Sequence, residues 1–440
     1  MFRRALTSRT FTAGVARRWY SSPVPSFSVN GDRLWNDVME TAKWSAPSDG
    51  GLTRLCADEN DKMVRDWFRE QLLALGAEYK VNATGTQFGK IPGEDNSIPP
   101  IAMASHLDSV ATGGKFDGPL GVLSGLEVLR SLKEQGITTR APLVLINWTN
   151  EEGARFVPPL GSSCVFAGQS TLAAAHASKS NDGSALTMGG ELAKIGYIGD
   201  GPNTFEEYPL SAHFELHVEQ ATDLEKAGKP VGWVEGWQGM TWFEVTFHGA
   251  DGHANTSPMY GRRDALTGAG RLITDLEDMG YAHNGYSTVV GIRSHPVGCC
   301  NIQSRTFVAF CVMNRAADGL LAMNDAVRAR ISAIAAKYGL EYELERGTHL
   351  LPGSFWPEAV ECVRRACGEK GIGSITGTGH DSLMTTLKCP TAMVFVRSKD
   401  GLSHSAKEWS SKEDCAEGAL VLGKAVLNYD EVLRGKAKSA

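Results

Sequence analysis

The 440-residue chain predicts an α/β fold, a mostly parallel sheet flanked by helices, into which a ferredoxin-like α+β layer is inserted. Strand-like runs such as Ile101–Ala104 and Leu143–Trp148 alternate with helix-like runs such as 121–135. Those strands are apolar but for Asn147, as strands covered on both faces are. Between about Gly239 and Thr348 the rhythm changes to strand-helix-strand-strand-helix-strand, the split order of a ferredoxin-like layer. The length also suits two or three domains better than one.

Residues 1–28 stand apart. They carry Arg3, Arg4, Arg9, Arg17 and Arg18, many Ser and Thr, and no acid before Asp32, without the apolar block of a secretory signal. This composition fits a mitochondrial transit peptide and a matrix location; the alternative is a basic tail on a cytoplasmic protein. From Asn30 to Gly76 the spacing is helical, broken at Ser48-Asp49-Gly50-Gly51. A strand over 99–108 ends at His106. The helix over 121–135 aligns Val122, Leu126, Leu129 and Leu132, and Gly136 stops it. Residues 142–148, 213–219 and 390–397 read as further strands of that sheet. Inside the insertion, strands are expected at 242–247, 288–293, 306–313 and 341–345, and helices at 263–279 and 320–338. The chain therefore divides into 1–28, a first part of the main domain at 29–238, the insertion at 239–348, and a second part at 349–440.

Composition narrows the function. Hydrophobic residues make up 42% of the chain, yet no apolar run is long enough to span a bilayer, so no membrane partner is expected. A formal net charge of -6 provides no basic field for nucleic acid. Nine cysteines, an odd number without Cys-x-x-Cys or framework spacing, point to reduced thiols inside the cell, most of them buried. Cys299 and Cys300 adjoin, and Cys362 and Cys367 share an expected helix.

The chemistry gathers at strand ends. The apolar run Leu143–Trp148 exits into Asn150-Glu151-Glu152-Gly153. Paired carboxylates there are costly to desolvate unless they hold a metal or share a proton. His106-x-Asp108 spaces two side chains onto one face of an extended stretch, one to bind and one to orient. Asp117 sits in the turn Gly113-Gly114-Lys115-Phe116-Asp117-Gly118, where it either bridges two cations or merely caps the turn. His217-Val218-Glu219-Gln220 and Ser403-His404-Ser405 complete an ordered set of imidazoles and carboxylates with no thiolate. Such ligands suit zinc or a similar divalent ion in an open, catalytic site. In parallel α/β sheets, ligands collect beyond the carboxyl ends of the strands, where His106, Glu151, Glu152 and His217, which end or follow strand-like runs, are expected to converge.

Together with Arg155-Phe156, Gly252-His253-Ala254, Pro258-Met259, Arg263-Asp264-Ala265 and Gly379-His380-Asp381, this set resembles the zinc-dependent N-carbamoyl-amino-acid amidohydrolases from about residue 30 to the end. That family includes β-ureidopropionase, L-carbamoylase and allantoate amidohydrolase, within the aminoacylase and carboxypeptidase superfamily. The resemblance implies two Zn2+ per subunit, with Mn2+, Co2+ or Ni2+ as alternatives. One ion would be held by His106, Asp117 and His217, the other by Asp117, Glu152 and His404. Glu151 would be the general base, and Asp108 the partner of His106. Gln220, His253, Asn301, Arg315, Gly379 and His380 match positions that contact a small-molecule substrate, His253 also as oxyanion donor, in the same subunit or across a homodimer. The insertion would be the lid and the dimerisation domain. His217 with Gln220 favours N-carbamoyl substrates, such as N-carbamoyl-β-alanine or an N-carbamoyl-L-amino acid, over N-acyl amino acids and dipeptides. Allantoate is a further alternative, and a non-catalytic relative a last one. The chain departs from the family pattern at Ala221, at Ala254-Asn255-Thr256-Ser257 and at Met313-Asn314, all around the expected lid.

Overall fold

The computed structural model describes residues 25–438 except 46, 48 and 49. The expected transit peptide thus lies outside the described residues save for its last four. Of these, Phe27 is 6% exposed and belongs to the main hydrophobic core, so the folded chain begins before the expected boundary at residue 28. No described helix is long and apolar enough to cross a membrane.

The described chain forms two compact units, one from Gly236 to Ser354 and one from the segments on either side. In the flanking unit the strands are β1 (Glu78–Val81), β2 (Gln87–Ile91), β3 (Ile101–His106), β4 (Leu143–Trp148), β5 (Ala212–Val218) and β6 (Val231–Trp237), whose last two residues lie in the insertion. The insertion contributes β7 (Gly239–His248), β8 (Gly252–His253), β9 (Tyr286–His295), β10 (Asn301–Ile302), β11 (Arg305–Asn314), β12 (Glu341–Leu350) and β13 (Gly353–Ser354). Then come β14 (Gly371–Thr376) and β15 (Thr391–Val396).

The main sheet runs β1-β2-β4-β3-β5-β15-β6, with β14 also paired to β6. Its centre, β4-β3-β5-β15, is parallel. Every residue of those four strands is buried, including the polar His213, Glu215 and His217 of β5 and Asn147 of β4. The flanking pairs β1–β2, β2–β4 and β15–β6 are antiparallel, so the sheet is mixed at its edges. Helix Pro119–Glu134 packs on β3 and β5, and the 27-residue helix Lys412–Lys438 lies against it and against helix Pro357–Cys367. Helix Glu59–Leu75 starts where the Asp58 side chain accepts from the Asp61 N–H, and it stops at Gly76 in the left-handed region.

The insertion has its own antiparallel sheet, ordered β12-β7-β11-β9. Helices Ala265–Ala282 and Ala317–Tyr338 cover it, and Phe243, Val245, Phe247, Val308, Phe310, Leu272 and Ile331 fill the space between. The connectivity is that of a ferredoxin-like layer. The burial of β7 alternates along its length, as expected for a sheet covered on one face. All nine cysteines are free thiols, six of them buried; Cys299 and Cys300 are exposed.

Candidate metal centre

The carboxyl ends of β3, β4 and β5 deliver the expected residues to one place. His106 is the last residue of β3, and His217 is the next-to-last of β5. Glu151 and Glu152 follow β4 after a turn in which Asn150 has φ +59°. Asp117 precedes the helix Pro119–Glu134. Gln220 and His404 also have positive φ, at +58° and +50°. Three non-glycine residues in the left-handed region within one site mark backbone strain held by the surrounding fold.

Asp117 is the hub. Its Oδ1 lies 3.0 Å from His217 Nε2 and 3.9 Å from His106 Nε2. Its Oδ2 lies 3.3 Å from His404 Nε2, and the same nitrogen is 3.4 Å from Glu152 Oε2. Two groups able to hold a metal therefore share one carboxylate: His106, Asp117 and His217, and Asp117, Glu152 and His404. Glu151 borders the first group, with Oε2 3.7 Å from His106 Nε2. A third group, Glu215, His217 and His380, has comparable spacing. Its carboxylate, however, is already committed, accepting from Ser105 Oγ, Ser382 Oγ and the Ser382 N–H.

The rings are aimed by their outer nitrogens. His106 Nδ1 donates to the Asp108 carbonyl at 2.8 Å, and His217 Nδ1 to the Val218 carbonyl at 2.9 Å. Each ring thereby turns Nε2 into the site. His106 Nε2 and Glu152 Oε1 are buried without a hydrogen-bond partner. Orphaned donors of this kind, hard and borderline in type, fit divalent ions.

Electrostatics point the same way. Burial pulls His106 down to about 4, which keeps the ring neutral, the form able to bind a metal. Burial acts likewise on His217, but Asp117 outweighs it and raises that ring to about 9. Asp117 is itself held well below the usual carboxylate range: burial is overcome by His217 and His404. Glu151 is pushed well above that range by burial and then by Asp381 and Glu152. Burial, followed by Asp117, does the same to Glu152. Carboxylates packed this closely call for a positive charge among them.

Asp108 departs from expectation. β3 ends at His106, so the extended spacing that would align the two side chains does not continue. His106 bonds the carbonyl of Asp108, while the carboxylate, 4.0 Å from the ring, accepts from the N–H groups of Glu151 and Glu152 at 3.3 Å. Its side chain thus fixes the loop that carries Glu151 and Glu152. Gln220 also differs in emphasis: its Nε2 donates to Asp117 Oδ2 at 2.9 Å, and its Oε1 is buried and unpartnered. His380 packs edge-on to His217, ring centroids 4.4 Å apart, and bonds Thr376 Oγ1; Gly379 precedes it. His253, Asn301 and Arg315 belong to the insertion. There β8 pairs with β10 so that His253 lies opposite Asn301, and exposed Arg315 directly follows β11. Glu408, buried beside Asp117, was not expected; its only sequence signal is its place four residues after His404.

Gly118 shows how tight the cradle is. A Cβ there would sit 2.2 Å from His106 Cε1, and φ is +81°. Gly118→Ala should cost about 1–3 kcal/mol and weaken metal binding at His106. Urea denaturation with elemental analysis checks both.

Carboxylates and imidazoles clustered beyond the parallel strands, with an acid beside them, define a metal-dependent hydrolase, and the chain belongs to peptidase family M20/M25/M40, which it matches over residues 102–428. Within that family it falls among the hydantoinase/carbamoylase amidases, which act on linear amide or ureido C–N bonds. It is 37% identical to an N-carbamoyl-L-amino-acid amidohydrolase of Rhizobium meliloti, covering 94% of this chain and 100% of the relative. It is 33% identical to the N-carbamoyl-L-amino acid amidohydrolase of Geobacillus stearothermophilus, covering 90% and 97%. The crystal structure of a hydantoinase/carbamoylase family amidase from Burkholderia vietnamiensis superposes with a TM-score of 0.86 at 39% identity, covering 91% and 98%.

Proposed function

We propose that the protein hydrolyses N-carbamoyl-L-amino acids to the free amino acid, carbon dioxide and ammonia. The observation that carries this is Asp117 placed between two histidine-containing groups with Glu151 alongside. The names of the relatives favour an L-α-amino acid over N-carbamoyl-β-alanine.

In this reading His106, Asp117 and His217 hold one ion, and Asp117, Glu152 and His404 the other, with zinc as the preferred metal. When bound, such ions polarise the carbonyl and lower the pKa of water. Glu151 takes the proton of the attacking water and hands it to the leaving nitrogen, a task that suits a carboxylate with a raised pKa. Gln220 Oε1, unpartnered, accepts a ureido N–H, and Gly379 and His380 border the same group. His253 Nδ1 accepts from the Asn255 N–H at 3.2 Å, so the ring proton resides on Nε2 and is available to an oxyanion. Arg315 and Asn301 take the substrate carboxylate, for which a guanidinium offers a planar fork. The insertion also supports a homodimer, because edge strand β9 exposes Tyr286, Val290 and Ile292. The basic composition of residues 1–28 supports a mitochondrial address.

The test is ammonia or amine release by zinc-reconstituted protein from N-carbamoyl-L-amino acids, N-carbamoyl-β-alanine, allantoate, N-acetyl amino acids and dipeptides. Highest kcat/KM on a dipeptide or an N-acetyl amino acid would overturn the proposal. Arg315→Ala should raise KM about 10–100-fold for carboxylate-bearing substrates and much less for a neutral amide, since a charged hydrogen bond contributes about 1.5–3 kcal/mol.

A further inference from the structure

Glu408 is 3% exposed and joins two of the segments that build the candidate metal centre. Its Oε1 accepts from the N–H groups of Phe116 and Asp117, at 2.9 and 3.0 Å. Its Oε2 lies 2.7 Å from Ser403 Oγ, the residue before His404. Ser403 Oγ is also 2.7 Å from Asp117 Oδ2, the oxygen that receives Gln220 Nε2. One buried side chain thus holds the backbone of the hub aspartate, while the serine it anchors holds that aspartate's carboxylate. Gly114 leaves room for it: a Cβ at that position would come within 2.2 Å of Glu408 Oε1.

We propose that Glu408 is a positioning residue that, through Ser403, sets the orientation of Asp117 and the register of His404, and so determines whether the second ion is held. This rests on the metal-ligand reading above. What Glu408 supplies is placement rather than charge. Ser403 has a single hydroxyl hydrogen facing two carboxylate oxygens. A glutamine at 408 satisfies the same contacts: its carbonyl accepts from Phe116 and Asp117, and its amide donates to Ser403, freeing the hydroxyl hydrogen for Asp117.

The experiment measures metal affinity by competition with a chromophoric chelator, using zinc alone, on the full-length wild type, Glu408→Gln, Glu408→Ala and Ser403→Ala, with thermal unfolding alongside. Glu408→Ala should bind one of its two ions about 10–100-fold less tightly than wild type does, and Glu408→Gln should stay close to wild type, as expected when an outer partner orients a ligand. Ser403→Ala, a smaller change, should weaken the same ion and serves if Glu408→Ala does not fold. Wild-type affinity in Glu408→Ala, or in Ser403→Ala where it stands in, overturns the proposal; so does a glutamine variant as impaired as alanine. Wild-type protein that binds no zinc would instead sink the metal-centre reading itself, so the two failures are distinguishable.

Discussion

Glu151→Gln is expected to bind the full complement of metal and to lose about 10²–10⁴ in kcat with little change in KM, the span associated with losing a positioned general base. The amide keeps the size of the side chain, and the backbone N–H still finds Asp108 Oδ1 at 3.3 Å. What it cannot do is carry a proton. Burial, then Asp381, Glu152 and Glu215, raise the pKa of the carboxylate, as suits the proposed role. Its Oε2 stands 3.7 Å from His106 Nε2, which places it beside the group formed by His106, Asp117 and His217. Steady-state kinetics with elemental analysis on the same sample decides the matter. Near-normal kcat would remove Glu151 as base, and loss of metal would make it a ligand.

The ease with which this site could be read from sequence follows from the fold. β3, β4, β5 and β15 are buried on both faces, so β3, β4 and β15 carry apolar runs of four or five residues, which made them plain, while β5 was marked more weakly, with Glu215 and two histidines inside it. Because they are parallel, those ends face one way, and His106, Glu151, Glu152 and His217 converge as a direct consequence. The edges of the sheet were not legible. β1 is half exposed along its length, and β14 carries two glycines in six residues, so neither has a periodic signature. Nor was the helix Lys412–Lys438 anticipated, although its apolar positions Ala419, Leu422, Val426 and Tyr429 fall at helical spacing and are buried. His106 bonds the carbonyl of Asp108, where the spacing had suggested its carboxylate. The spacing rule holds only while the strand is extended, and the chain turns after His106. Glu408 was invisible because its work consists of hydrogen bonds to backbone N–H groups far away in sequence, which no local pattern encodes.

Asp117→Ala should have the largest effect of any single change, because both groups lose their shared ligand at once. Zinc content should fall below one ion per subunit, and turnover by on the order of 10⁴-fold or more, as when residues that act as a unit are disrupted. A linked stability measurement separates this from simple misfolding. Anything that binds only the native state stabilises it by mass action, about 4 kcal/mol when free ligand is a thousand times Kd. Wild-type protein should therefore unfold at a higher temperature in zinc than in chelator. In Asp117→Ala that difference should collapse, while unfolding in chelator stays cooperative. Asp117→Asn refines the point, since it keeps the volume and a group able to bond Ser403 and Gln220 but gives up the negative charge between His217 and His404. If the asparagine variant kept both ions and the zinc-dependent rise in unfolding temperature, the carboxylate would not be a shared ligand, and the two groups would have to be regarded as independent.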